Sequence, residues 1–221
     1  MQSQIAIDGP VASGKTAVGR GVSIILKWKF LDTGLMYRAA TRTILDLGIS
    51  PEDNLNVIET VTSARIELAH SPDSERILID GKDKTDTLRT PEIDRTVSII
   101  SKIPEVRKEL VRQQRDIANR GPIVMVGRDI GSVVLPNAVL KLYLDADVKV
   151  RAQRRYIEHL GSENELCMEQ IKKDLEKRDQ IDKEREDSPL EIHDFYTVIE
   201  TSALTLQEVI DKITITYKSL N

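Results

Sequence analysis

The sequence is poor in several things, and each shortage excludes a class of protein. It has one cysteine, Cys167, so no disulfide can close within the chain and no cysteine cluster can hold a metal. A reducing compartment, the cytoplasm, is the expected location. Aromatic residues make up only 4%, too few for the stacking platforms of single-strand nucleic-acid binders. There is no basic excess: the formal net charge is −4, which argues against a broad nucleic-acid surface. No apolar run approaches the roughly 20 residues that span a bilayer, so no membrane partner is expected. The N-terminus reaches Asp8 without a basic stretch leading into an apolar core, and no signal peptide is expected. The three histidines, His70, His159 and His193, fall in no motif and read as surface or packing residues. No N-K-x-D-like guanine-reading motif, internal repeat or low-complexity segment is found.

What is present is a globular balance, 40% hydrophobic and 31% charged over 221 residues, suited to one domain with a small insertion. Gln4–Ile7 is a short apolar run broken at once by Gly9-Pro10, a strand leaving into a loop. Helical spacing follows over Lys15–Leu26 and over Leu35–Leu47, which stops at Gly48, with a short strand at Trp28–Leu31 between them. Ala64–Leu68 and Arg76–Ile79 read as strands, and Asp80-Gly81 turns toward Lys82–Thr85; Ala64–Thr85 is expected to be a small antiparallel insert. Thr90-Pro91-Glu92 opens a helical stretch to Arg120, divided by Pro104. Ile123–Val126 and Val139–Leu144 read as buried strands, Val148–Leu160 and Glu165–Asp187 as charged helices, Thr197–Ile199 as a last strand and Leu204–Leu220 as a last helix. This alternation predicts an α/β fold with a parallel five-stranded sheet and helices on both faces.

One motif carries chemistry outright. Gly9-Pro10-Val11-Ala12-Ser13-Gly14-Lys15-Thr16 fits G-x-x-x-x-G-K-[ST], after the first strand and before the first helix. Glycines let the backbone curl until several N–H groups point inward at phosphate oxygens. The helix N-terminus adds partial positive charge. Lys15 is expected to reach the β- and γ-phosphates of ATP, and the Thr16 hydroxyl to hold Mg2+. GTPases, ATPases and small-molecule kinases share this loop, so it leaves the acceptor open.

The arginines narrow the choice. Arg38 follows the second strand and Arg128 follows Ile123–Val126, close to the sheet edge where α/β proteins bind ligands. Alone, Arg38 would pass for a surface charge; beside Arg128 and a phosphate loop, it implies a second anion. Arg151, Arg154 and Arg155 share a helix face by spacing, serving either a solvated surface or a transferring phosphoryl group. Arg178 and Arg185 lie two helical turns apart among many acids, which favours a solvated, salt-bridged helix there.

With these residues in view, the sequence resembles the bacterial cytidylate kinase family over nearly its whole length. The resemblance rests on Ile7-Asp8-Gly9-Pro10, on Leu31-Asp32-Thr33-Gly34 with Tyr37-Arg38, and on Gly127-Arg128-Asp129-Ile130-Gly131-Ser132-Val133-Val134. Leu144-Asp145-Ala146 with Arg154-Arg155, and Arg178-Asp179 with Asp182 and Arg185, complete it. It implies a nucleoside monophosphate kinase of the phosphate-loop fold, acting on CMP or dCMP with ATP. The phosphate loop, through Ala17, would bind ATP. Arg38, Arg128 and Arg185 would grip the acceptor phosphate. Thr33, Arg107 and Asp129 would read the cytosine edge, and Ser98, Arg178 and Asp182 the sugar. Arg151, Arg154 and Arg155 would belong to a lid that closes over ATP; Lys15, Arg128, Arg154 and Arg155 would be catalytic. The resemblance implies one domain over 1–221, with a core of 1–60, 121–147 and 188–221, a monophosphate-binding insert at about 61–120 and a lid at about 148–187. A monomer is expected, with no nucleic-acid partner. The reaction needs no histidine: a monophosphate has its second pKa near 6 and is already an anion at pH 7.

Overall fold

The computed structural model describes residues 3–71, 74–159 and 167–220. The parallel sheet has five strands in the order β2-β6-β1-β7-β8, built from β1 (Gln4–Asp8), β2 (Lys29–Asp32), β6 (Ile123–Val126), β7 (Leu140–Asp145) and β8 (Thr197–Glu200). The small antiparallel sheet is β3 (Ile66–Ser71), β4 (Ser74–Ile79) and β5 (Lys82–Asp83), in that order. Eight α-helices lie among the described residues: α1 (Lys15–Leu26), α2 (Thr33–Asp46), α3 (Asn54–Ser63), α4 (Pro91–Ile100), α5 (Pro104–Ala118), α6 (Val148–His159), α7 (Met168–Glu184) and α8 (Leu206–Ser219). The chain divides into two compact units: Lys29–Ile123, and Ser3–Trp28 with Val124–Asn221.

In the second unit β1 and β7 pair in register, Ile5 with Leu140 through Asp8 with Tyr143. Strand β7 pairs with β8, Leu142 with Thr197 through Asp145 with Glu200. Ile5, Ala6, Ile7, Leu142 and Leu144 are wholly buried, as strands covered on both faces must be. Trp28 and Tyr217 meet edge to face, ring centroids 5.0 Å apart, where α8 lies along α1. Thr205 and Glu208 form a reciprocal capping box that starts α8.

In the first unit the antiparallel insert forms as its sequence implies. Strands β3 and β4 pair from Ile66 with Ile79 outward, and Asp80-Gly81 turns the chain into β5. Pro91 and Pro104 each stand at the start of a helix, where the missing N–H costs nothing. Helix α3 has no counterpart in the sequence reading. Asp53 caps it by accepting from the Asn56 N–H, and Val57 and Val61 bury one face. Helix α7 ends at Glu184, three residues before the expected Asp187. Arg185 is already extended, and Ser188 takes a left-handed backbone just before Pro189. The start expected at Glu165 lies outside the described residues. So do the side chains of His70 and His159; His193 stacks on Phe195, centroids 5.0 Å apart, as a packing residue.

Candidate active site

The phosphate loop is fixed mainly by its own backbone. Gly9 has φ +145°, and a Cβ there would sit 2.1 Å from the Leu144 carbonyl oxygen, so the loop leaves β1 pressed against β7. Ala12 is left-handed, and Gly14, also left-handed, is the N-cap of α1. Gly14 offers no side-chain cap to the first turn, and a helix N-terminus of this kind favours an anion. Lys15 is buried; its ammonium donates to the Pro10 carbonyl at 2.6 Å and lies 3.4 Å from the Ser13 hydroxyl. Its charge is held inside the loop. Thr16 follows it in the first turn, and Ala17 is exposed.

Helices α6 and α7 brace this loop. Arg151 is buried and donates to the Ala146 carbonyl (3.0 Å), the Val11 carbonyl (3.0 Å) and the Asp179 carboxylate (2.6 Å). Asp179 also accepts from the Val11 N–H at 3.3 Å. Both polar groups of Val11 are therefore tied to one arginine–aspartate pair. Arg154 takes a different post: it donates to the Thr201 hydroxyl (3.1 Å) and carbonyl (2.6 Å), and Thr201 in turn reaches the Ser13 carbonyl at 3.3 Å. A Cβ on Gly14 would lie 4.0 Å from the Arg154 guanidinium. Arg155 pairs with Glu158 one turn along its own helix, at 3.0 Å. The three arginines of α6 do not form one solvated face, contrary to one reading of their spacing.

The loop after β6 carries the second cluster. Arg128 donates to Asp182 at 2.7 Å, and Arg185 stands 3.7 Å from Asp129. Burial pushes the Asp182 carboxyl up, but Arg128, by hydrogen bond and charge, with Arg185 and Arg178, holds it below the usual carboxylate range. The solvated, salt-bridged helix expected around Arg178 is thus wrong for one face of α7. Asp179 and Asp182 are paired and largely buried, with partners 28 and 54 residues away. Sequence spacing along one helix cannot reveal such partners. A wide helical turn, Ile130–Val134, follows Asp129. Its first two amides are accepted by Asp8, a residue the sequence offered only as part of a motif.

The first unit gathers the remaining candidates at the start of α2 and along α4 and α5. Asp32 caps α2, accepting from the Gly34 N–H at 3.0 Å, and sets Thr33 buried in the first turn. Arg38, one turn on, ion-pairs with Asp94 and donates to the Leu88 carbonyl at 3.1 Å. Ser98 lies one turn beyond Asp94 on α4. Arg107 is 2% exposed. A guanidinium buried so deeply needs partners; it donates to the Ser101 carbonyl at 3.5 Å and lies 5.7 Å from the Tyr37 ring centroid. The structure thus joins Arg38 to α4 and Arg107 to Tyr37, and separately joins Arg128, Asp129, Asp182 and Arg185. Sequence reasoning missed Asp94, Thr201 and Tyr196; none stands in a motif.

Comparison with known proteins identifies a family. The family model described as cytidylate kinase matches residues 5–219. A cytidylate kinase of Bacillus cereus (strain G9842) is 39% identical over 209 residues, covering 95% of this chain and 93% of the relative. One from Bacillus cytotoxicus is 40% identical over the same shares. Among solved structures, a protein of Eubacterium ventriosum matches with a TM-score of 0.57 at 14% identity, covering 99% of each chain, a likeness of fold.

Proposed function

The chain belongs to the cytidylate kinase family, and from that membership we propose that it transfers the γ-phosphoryl group of ATP to CMP or dCMP, releasing ADP and CDP or dCDP. The observation that carries this reading is the two ion pairs Arg128–Asp182 and Arg185–Asp129, built on the same unit as the phosphate loop. A nucleotide switch uses such a loop but has no need of a second guanidinium cluster.

The roles follow from chemistry. The phosphate loop, Gly9 to Ala17, and the Lys15 ammonium within it hold the ATP phosphates. Arg38, Arg128 and Arg185 grip the acceptor phosphate, whose oxygen is already an anion at pH 7 and needs no general base. Lys15, Arg128, Arg154 and Arg155 spread the charge that develops as two anions are brought together. We assign Asp129 to the cytosine N4 amino group, Thr33 and Arg107 to the base, and Ser98, Arg178 and Asp182 to the sugar. Arg151 acts on the loop through Val11 rather than on the nucleotide. Magnesium takes oxygen ligands and keeps several of its waters. The Thr16 hydroxyl, in the first turn of α1 beside Lys15, is a donor of the right kind and would hold the ion. Held there, it would supply positive charge to offset that of the phosphates. Residues 148–187 act as the lid, excluding water so that ATP is not wasted by hydrolysis. No helix of the described residues is long and apolar enough to cross a membrane. We place the enzyme in the cytoplasm and take it to act as a monomer.

A coupled assay of ADP release with CMP, dCMP, UMP, AMP and shikimate side by side tests the reading. CMP or dCMP should exceed the others in kcat/KM by at least about tenfold. Preference for UMP, AMP or shikimate would refute it.

A further inference from the structure

Asp8 ends β1 and adjoins Gly9, the first residue of the phosphate loop. Its side chain is wholly buried and accepts three short hydrogen bonds. Oδ1 accepts from the Ile130 N–H at 2.7 Å; Oδ2 accepts from the Gly131 N–H at 2.7 Å and from the Tyr196 hydroxyl at 2.8 Å. Those two amides directly follow Arg128 and Asp129. Tyr196 arrives from the segment before β8 and is 8% exposed. Its ring lies on Gly131, where a Cβ would come within 2.8 Å of Cε1, and meets the Tyr143 ring at 6.0 Å. One carboxylate and one phenol thus hold the root of the arm that carries both a phosphate-gripping arginine and the base-reading aspartate.

We propose that Asp8 and Tyr196 are positioning residues that set the Arg128–Asp129 arm and, through it, the affinity for the monophosphate acceptor. The inference rests on the roles assigned above to Arg128 and Asp129. Ionised, a carboxylate has acceptor sites for all three donors; once protonated, one oxygen carries a proton of its own and the three-donor arrangement must rearrange. The groups facing Asp8 divide cleanly. Burial disfavours its charge, and the Asp129 carboxylate adds to that; the Gly131 and Ile130 amides and the Tyr196 hydroxyl favour it. Tyr143, from β7, feels the charges of both Asp8 and Arg128, and Ser132 bonds to Tyr196. The balance leaves Asp8 at about 6, well above its ordinary value, yet mostly ionised at pH 7. Removing the Tyr196 hydroxyl removes a donor that favours the charged form. The carboxyl then titrates higher, and acidification slackens the arm at a pH where the intact enzyme still holds it.

Tyr196→Phe tests this, because it keeps the ring over Gly131 and deletes only the hydroxyl. Steady-state rates are measured with CMP and ATP varied in turn, from about pH 5.5 to 8.5, for wild type and variant. The acceptor phosphate titrates equally in both, so the difference between the profiles isolates the protein. The KM for CMP should rise about tenfold near pH 6, as expected for a lost bond to a charged group. The KM for ATP should stay within about twofold, and the acid limb of kcat/KM for CMP should move to higher pH. An unmoved acid limb, or equal rises in both KM values, overturns the proposal. If the variant melts before it can be assayed, the carboxyl 13C titration of Asp8 in the intact enzyme without substrate decides. A value in the ordinary carboxylate range overturns the proposal, and one near 6 supports it. Absence of CMP turnover by the wild type would instead refute the acceptor reading itself.

Discussion

The phosphate loop and the Arg38 cluster, each proposed to hold a phosphate, are built of different materials. In the loop the cradle is main chain: Gly9 pressed on the Leu144 carbonyl, Ala12 and Gly14 left-handed, and Val11 tied at both polar groups. Its shape depends on φ angles and a close approach that permit few substitutions. Around Arg38 the cradle is side chain. The guanidinium pairs with Asp94 and with the Leu88 carbonyl, 56 and 50 residues further along. Such partners can be exchanged for a ligand, whereas a curled backbone cannot be rebuilt. The first kind of site is written in consecutive residues; the second is assembled from distant ones.

Substitutions should separate the two kinds by size of effect. Gly9→Ala should be the most damaging, because its Cβ would meet main chain and not a flexible side chain. A loss of ~3 kcal/mol or more of stability is expected, with turnover down about a thousandfold. Thermal melting and the coupled assay check it, and a near-normal melt would show that the loop can relax. Asp129→Ala should act on one substrate. It removes the carboxylate beside Arg185 and should weaken CMP about 10- to 100-fold, leaving ATP within about twofold. Equal weakening of both would remove Asp129 from base reading. Arg112→Ala should do least. Arg112 is a surface residue of α5 bonded to Glu109 and Asp116, and exposed pairs of that kind contribute little to stability. Chemical denaturation would reveal any larger change.

How far the sequence could be read follows the same division. Helix α1 was legible to the residue, because the phosphate loop fixes its start and Lys27, left-handed, ends it at Leu26. The antiparallel insert was legible from period-two runs around Asp80-Gly81. Helix α3 was not, since Val57 and Val61 give only two buried positions while Leu55 faces solvent. In the site, Lys15, Thr16, Arg38 and Arg128 stood out because their types recur beside loops that bind anions. The buried pairing of Asp179 and Asp182 did not, because a helix rich in both charge signs looks solvated until its distant partners are known. Tyr196 gave no signal at all. Its place depends on the turn at Gly131, which only the folded chain brings near it.

The guanidinium groups assigned to the acceptor do not stand bare. Arg38 has Asp94, Arg128 has Asp182 and Arg185 has Asp129. A tethered carboxylate competes at an effective concentration in the millimolar range or higher. A stray anion, inorganic phosphate included, must displace that resident neighbour and brings nothing else to offset the exchange. On the proposed roles, a whole nucleotide would bring its base and sugar as well, and those contacts would offset the loss of the built-in counterions.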